Sequence, residues 1–206
     1  MKKIMLFLFL LLFVTGCSIV RIDTSSIDNI LNIILTNDNK LFNQVGQGYK
    51  YYLPNGVTYI DSDEANDTLY CNGNYYYLYI DAINYFYQNK IEYKEDDSKY
   101  YSKAITTKDG FSHSGYLDIE EKDGLYYIEF VYNYAKIEAI VNEKELNDTI
   151  LNASYILSTI KYNYNIIKLS LEDDYFTNKT TKYDKYELKE DSGNFIIEKE
   201  NIIKEG

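Results

Sequence analysis

Tryptophan is absent from this chain, and proline, histidine and arginine occur once each, as Pro54, His113 and Arg21. Each scarcity closes a class of explanation. One histidine and two cysteines, Cys17 and Cys71, cannot supply the nitrogen and sulfur ligands of an ordinary zinc site. The histidine sits in Phe111-Ser112-His113-Ser114-Gly115, and a serine hydrolase would need it within reach of a nucleophile. In an extended chain the flanking serines point away from it, and no Gly-x-Ser-x-Gly elbow occurs, so His113 reads as a loop residue. Apolar runs long enough to cross a bilayer, about 20 residues, are missing too, since Ile4–Val14 stops well short. Acidic residues outnumber basic ones 32 to 21, a net charge of −11 that offers no electrostatic footprint for nucleic acid.

What is present begins at the N-terminus. Lys2 and Lys3 precede the short apolar run, which ends in Val14-Thr15-Gly16-Cys17. A charged start, a short apolar stretch and a small-residue junction describe a cleaved export signal. The four junction residues resemble the lipobox of bacterial lipoproteins. That resemblance implies cleavage between Gly16 and Cys17 and attachment of diacylglycerol to Cys17. Residues 1–16 are then a signal peptide, 17–24 a lipidated linker and 25–206 one domain. The expected location is the extracytoplasmic face of a bacterial cell membrane, and two acyl chains suffice for stable anchoring. Losing Lys2 and Lys3 takes the net charge from −11 to −13, which would repel anionic head groups. Cys71 becomes the one remaining cysteine, so no intramolecular disulfide forms. It reads as a buried thiol, with an intermolecular bridge as the alternative.

Hydrophobic periodicity outlines an α+β domain. Ile27, Ile30, Leu31, Ile34 and Leu35 recur at helical spacing after Ser25-Ser26, which can cap a helix docked on the domain. From Tyr49 the pattern turns to strands. Tyr49–Leu53 and Val57–Ile60 flank Pro54-Asn55-Gly56 as a hairpin, and the acidic run 61–67 reads as a solvated loop. Leu69–Cys71 and Tyr75–Ile80 flank a second turn at Asn72-Gly73-Asn74. Ala82–Asn89 fits helix or strand, and Glu92–Lys99 reads as a surface loop. Tyr116–Glu121 alternates, with Leu117 and Ile119 on one face and Asp118 and Glu120 on the other. The chain turns at Asp123-Gly124 and returns as Leu125–Val141. The parity of the apolar residues switches inside that return, which predicts a bulge or kink near 133–136.

Leu146, Ile150, Ala153, Leu157, Ile160 and Tyr164 then form the strongest helical stripe, started by a capping-box-like Asn142 and Glu145. Ile166–Leu171 reads as a strand, and Tyr183–Leu188 with Phe195–Ile197 as a C-terminal hairpin or extended tail. This order resembles the PsbP-like fold: an aromatic strand ending at Pro54, an antiparallel hairpin, then a long amphipathic helix, across residues 47–164. Where that family often has tryptophan after its proline, this chain has Asn55. The resemblance implies an α/β/α sandwich on an antiparallel sheet, with helices packed on it, and a non-catalytic accessory or assembly role on a membrane-attached complex.

The residues themselves expose little chemistry. Asp61, Asp63 and Asp67 place carboxylates in one segment, but Ala65 and Asn66 break the calcium-loop order. Glu95-Asp96-Asp97 and Glu172-Asp173-Asp174 read as solvated acidic clusters. No cofactor, metal or catalytic constellation is expected. Strand alternation sends Tyr75, Tyr77 and Tyr79 to one face and Tyr76, Leu78 and Ile80 to the other. The three tyrosines are a possible binding face, against the simpler reading of a sheet covered on both sides. The 25 tyrosines as a whole fit a genome with AT-rich codons. The expectation is therefore a membrane-anchored binding or accessory lipoprotein with a protein partner in a membrane or wall complex. An extracellular hydrolase of wall glycan or peptide, working through two carboxylates, is the alternative. A small-ligand receptor is disfavoured because the chain is short for two lobes.

Overall fold

The computed structural model describes residue 24 and residues 26–63, 66–106 and 113–172. The expected signal peptide, Cys17 and the expected C-terminal hairpin lie outside them. The chain is an α+β protein with two antiparallel sheets. The large sheet has seven strands: β3 (Thr58–Asp63), β4 (Asn66–Cys71), β5 (Asn74–Ile80), β6 (Tyr101–Thr106), β7 (Ser114–Lys122), β8 (Leu125–Tyr132) and β9 (Ala135–Asn142). Their order, β3-β4-β5-β9-β8-β7-β6, joins two meanders at the β5–β9 seam. The small sheet orders β1 (Gln44–Gly46), β2 (Tyr49–Tyr51) and β10 (Lys161–Tyr162). Four helices are described: α1 (Ile27–Leu35), α2 (Ala82–Tyr87), α3 (Glu143–Thr159) and α4 (Tyr164–Glu172).

Two-residue turns set the register of the large sheet. Asn72-Gly73 and Asp123-Gly124 take positive φ at both positions, the backbone that matches strand twist. The predicted bulge near 133–136 is instead a third such turn, with Asn133 at φ 51° and Tyr134 at φ 57°. A two-residue turn flips strand parity just as a bulge would, so the pattern alone did not separate them. Tertiary contacts hold this turn. The Asn133 amide donates to the Ile160 carbonyl at 2.9 Å, and the Tyr162 hydroxyl lies 2.8 Å from the carbonyls of both turn residues. Gly115 permits a close approach of β7 to β8, because a Cβ there would sit 1.9 Å from the Val131 carbonyl oxygen.

One face of the large sheet carries the core. Leu78, Leu117, Ile119, Phe130 and Ile137 are fully buried there, beneath α3, which presents Ile150, Ala153, Ile156 and Leu157. Tyr76 fixes the packing by donating to Thr149 of α3 at 3.3 Å. α1 lies on α3 through Ile30, Leu31, Ile34 and Leu35, as its periodicity predicts. Neither expected cap forms a side-chain bond: Ser26 and Asn142 have N-cap positions without one. The helical stripe also ends early, since Ile160 turns extended and lets β10 pair with β2.

Three further expectations change. Pro54-Asn55-Gly56 is a tight turn, with the Val57 amide donating to the Pro54 carbonyl, but it leads from the small sheet to the large one and makes no hairpin. The segment Ile166–Leu171 is helix α4 rather than strand, with Ile167 and Ser170 buried three residues apart. Most of the segment 61–67 is β3–β4 ladder rather than loop, and Asp67 is buried. Segment 82–89, open to either reading, starts as helix α2, whose first turn is capped by Asp81 accepting from the Asn84 amide at 2.9 Å.

Candidate functional site

Strand alternation sends the other set of side chains to the opposite face of the large sheet. Tyr75, Tyr77 and Tyr79 project from β5 to this face, while Tyr76, Leu78 and Ile80 enter the core. Ring pairing ties the tyrosines together. Tyr75 stacks on Tyr77 at 6.4 Å and meets Tyr70 of β4 edge-on at 5.2 Å. Among the described residues, the helix that packs on β8 and β9 is α3, from the other side. The open face is crossed by segment 89–99, whose Tyr93 stacks on Tyr116 of β7 at 4.1 Å.

Beside the tyrosines, the register assembles a row of carboxylates. Asp118 of β7 is the cross-strand partner of Glu129 on β8, and Glu129 is the partner of Glu138 on β9. Tyr77 continues the row on β5 and Ser102 on β6. Like charges directly opposite destabilise a sheet, so this row needs counter-charge, and the fold provides it. Lys99 lies 2.8 Å from Asp118 and 3.2 Å from Glu120, and Lys136 lies 2.5 Å from Glu138. The Tyr116 hydroxyl donates to Glu129 at 2.6 Å, and the Tyr93 hydroxyl donates to Asp118.

These contacts leave an electrostatic signature. Burial pulls the Lys99 ammonium down, but Asp118 and Glu120 outweigh it and raise its pKa. Burial, then the Glu129 carboxylate, push the Tyr116 phenol well up, so it stays a proton donor. Burial, then Asp81, raise Tyr79. The row lines a depression of about 160 Å³ with Lys99, Glu120, Tyr127 and Ile140. Its chemistry suits ligands that donate hydrogen bonds or carry positive charge and that can lie along aromatic rings. The carboxylates align without converging. Among the described residues, no group of three or more His, Cys, Asp or Glu is placed to hold a metal ion.

Other residues singled out by sequence are scattered. Asp61 pairs with Thr68 and Asp67 with Ser62, which puts Asp61 and Asp67 on opposite faces, so they do not form one cation loop. Asp67 instead accepts from Tyr51 at 2.7 Å and more loosely from Tyr49 at 3.4 Å, both from the small sheet. Cys71 is buried, and burial pushes its thiol up. His113 lies beside the Tyr132 ring, 6.0 Å between centroids. Glu95 accepts from the Ala104 amide and Asp96 from Ser98. Asp173 and Asp174 lie outside the described residues. Sequence reading found the alternation of Asp118 and Glu120 but missed Glu129 and Glu138. Placing the turn at 133–134 would have paired those two glutamates at once.

The site and fold define an antiparallel α+β protein with one sheet face free of a helical layer among the described residues. No helix among them is long and apolar enough to cross a membrane. Comparison with models of known families, with curated proteins and with solved structures found no match for this chain.

Proposed function

We propose that this chain is a lipid-anchored bacterial lipoprotein, held through Cys17 at the extracytoplasmic face of the cell membrane, that acts by binding rather than catalysis. Its partner is a protein of a membrane or wall complex, engaged through the open sheet face. The observation that carries the reading is the juxtaposition of Tyr75, Tyr77 and Tyr79 with the Asp118–Glu129–Glu138 row. Such a surface complements a basic, hydrogen-bond-donating segment, and complementary charge favours both encounter and register. Of the PsbP-like layering this proposal keeps one helical layer, supported by a long helix packed on the sheet just after its β7–β9 meander, and leaves the second face to the partner.

In-cell crosslinking and pull-down tests it, with full-length chain, Cys17→Ala and a Tyr75→Ala/Glu129→Gln variant side by side. A partner captured by the native chain and lost in both variants is the expected result. Capture unaffected by Tyr75→Ala/Glu129→Gln would move binding off this face. One observation favours the hydrolase alternative: Glu129 and Glu138 face each other on adjacent strands, a spacing of about 5 Å between Cβ atoms. Wall-glycan hydrolysis abolished by Glu129→Gln would replace the binding reading with that one.

A further inference from the structure

The outer face of the small sheet is built unlike the rest of the surface. Val45, Lys50 and Lys161 are cross-strand partners in one row. Their neighbours Tyr49 and Tyr51 are buried and reach Asp67 of the large sheet, so by alternation the Val45–Lys50–Lys161 row turns away from it. Two lysines placed directly opposite each other repel. The depression they line, about 400 Å³, also holds Tyr164 and Ile166 of α4 and, among the described residues, no carboxylate. Asp38 lies 3.5 Å from both Lys161 and Lys40, and Lys50 sits over the Phe42 ring at 3.9 Å.

Exposed apolar side chains gather at the same place. Among the described residues, six exposed large apolar residues are not tyrosines, and five of them lie on or beside this sheet and α4: Leu41, Phe42, Val45, Ile166 and Leu169. Val45 is 75% exposed. A chain with net charge −11 therefore concentrates lysines and protruding apolar tips on one surface. Apolar side chains beside a row of lysines match a bilayer surface, where the tips enter the acyl boundary and the ammonium groups meet lipid phosphates.

We infer that the Val45–Lys50–Lys161 face rests on the surface of a membrane containing anionic phospholipid and orients the domain there, with the acidic sheet face turned outward. This rests on the lipoprotein reading. Tether geometry agrees with it. The Thr24 carbonyl accepts from Asn147 of α3 at 2.7 Å, whereas the small sheet meets α3 at Thr159, which accepts from the Tyr52 amide. These points are separated by about 18 Å of helix, and the seven residues from Cys17 to Thr24 reach about 25 Å when extended. The tether is therefore long enough to run the length of α3 to the end that carries the small sheet.

The absence of tryptophan makes the test direct. Val45→Trp places a single fluorescent reporter at an exposed position, and Tyr70→Trp places one on the acidic face. The full chain is made in a host that processes lipoproteins, and intact mass decides acylation of Cys17 separately. Each reporter is measured with phosphatidylcholine vesicles carrying brominated acyl chains, with and without phosphatidylglycerol. The expected result is a blue shift and quenching at Val45→Trp that require phosphatidylglycerol, none at Tyr70→Trp, and loss of quenching when Lys50→Glu and Lys161→Glu are added. Absent quenching at Val45→Trp, or equal quenching at both reporters, overturns the proposal. So does a blue shift that grows with protein concentration without lipid, which would mark a second copy on this face. If Cys17 carries no acyl chain, the anchor reading fails, and the reporters with added vesicles still decide the patch.

Discussion

Two sheets of this protein each place like charges directly opposite one another, and they resolve the repulsion differently. On the large sheet, Asp118, Glu129 and Glu138 are sunk between strands, and Lys99, Lys136, Tyr93 and Tyr116 surround them. On the small sheet, Lys161 stands at the surface beside Asp38, and Lys50 stands over the Phe42 ring. The difference follows from burial. The Glu138 side chain is 13% exposed and that of Lys161 is 40% exposed. A shielded charge must be matched inside the fold, whereas an exposed one can be left to water or to a partner. The acidic row is thus part of the folded structure as well as a surface, and the lysine row is surface alone.

The sharpest way to break this contrast is Lys136→Met. It removes the ammonium from Glu138, which faces Glu129, and is expected to cost about 2–3 kcal/mol at neutral pH. Urea titration reads it, and Glu138→Gln in the same chain should restore most of the loss. Next comes the join between the two sheets. Tyr51→Phe deprives the buried Asp67 of its 2.7 Å donor and should cost about 1.5–3 kcal/mol, the range for hydrogen bonds to charged groups.

Asp67 also sets a pH dependence. Burial, against the opposing hydrogen bonds from Tyr51, Ser62 and Tyr49, holds its folded pKa above the usual carboxylate value. A carboxyl raised in the folded state binds its proton more tightly there than in the unfolded chain. Its contribution is therefore full below the unfolded pKa, about 3.9, and is lost as pH rises through the folded value. Native chain minus Asp67→Asn, compared by denaturation between pH 4 and pH 7, should show that slope; equal slopes in the two chains would refute it. The smallest effect belongs to the lysine row. Lys50→Glu should leave stability unchanged or raise it by about 0.2–1 kcal/mol, by replacing a like-charge pair with an opposite one. A measurable loss would mean that the row is structural after all.

Legibility in the sequence followed how local the cause was. Asn72-Gly73 and Asp123-Gly124 announce their turns because glycine and asparagine tolerate positive φ on their own. Asn133-Tyr134 does not, since tyrosine takes that conformation only where Tyr162, Ile160 and Asp81 bond the turn from outside. Ile166–Leu171 could alternate as a strand or turn as a helix, and burial of Ile167 beside Gly48 decided for the helix. Asp67 looked solvated because its two phenol partners lie 16 and 18 residues away in another sheet.

By itself the sequence determined which residues could be core, that β5 would present Tyr75, Tyr77 and Tyr79 together, and that α1 and α3 would each bury one stripe. Those features need only the period of a strand or helix and the transfer of apolar groups from water. Tertiary structure alone decided that Asp118, Glu129 and Glu138 share one row, that Asp67 is buried between sheets, and that Val45, Lys50 and Lys161 share a face. Each depends on register between segments that no local pattern fixes: cross-strand pairing places a side chain beside its neighbour, and a shift of one residue sends it to the other face.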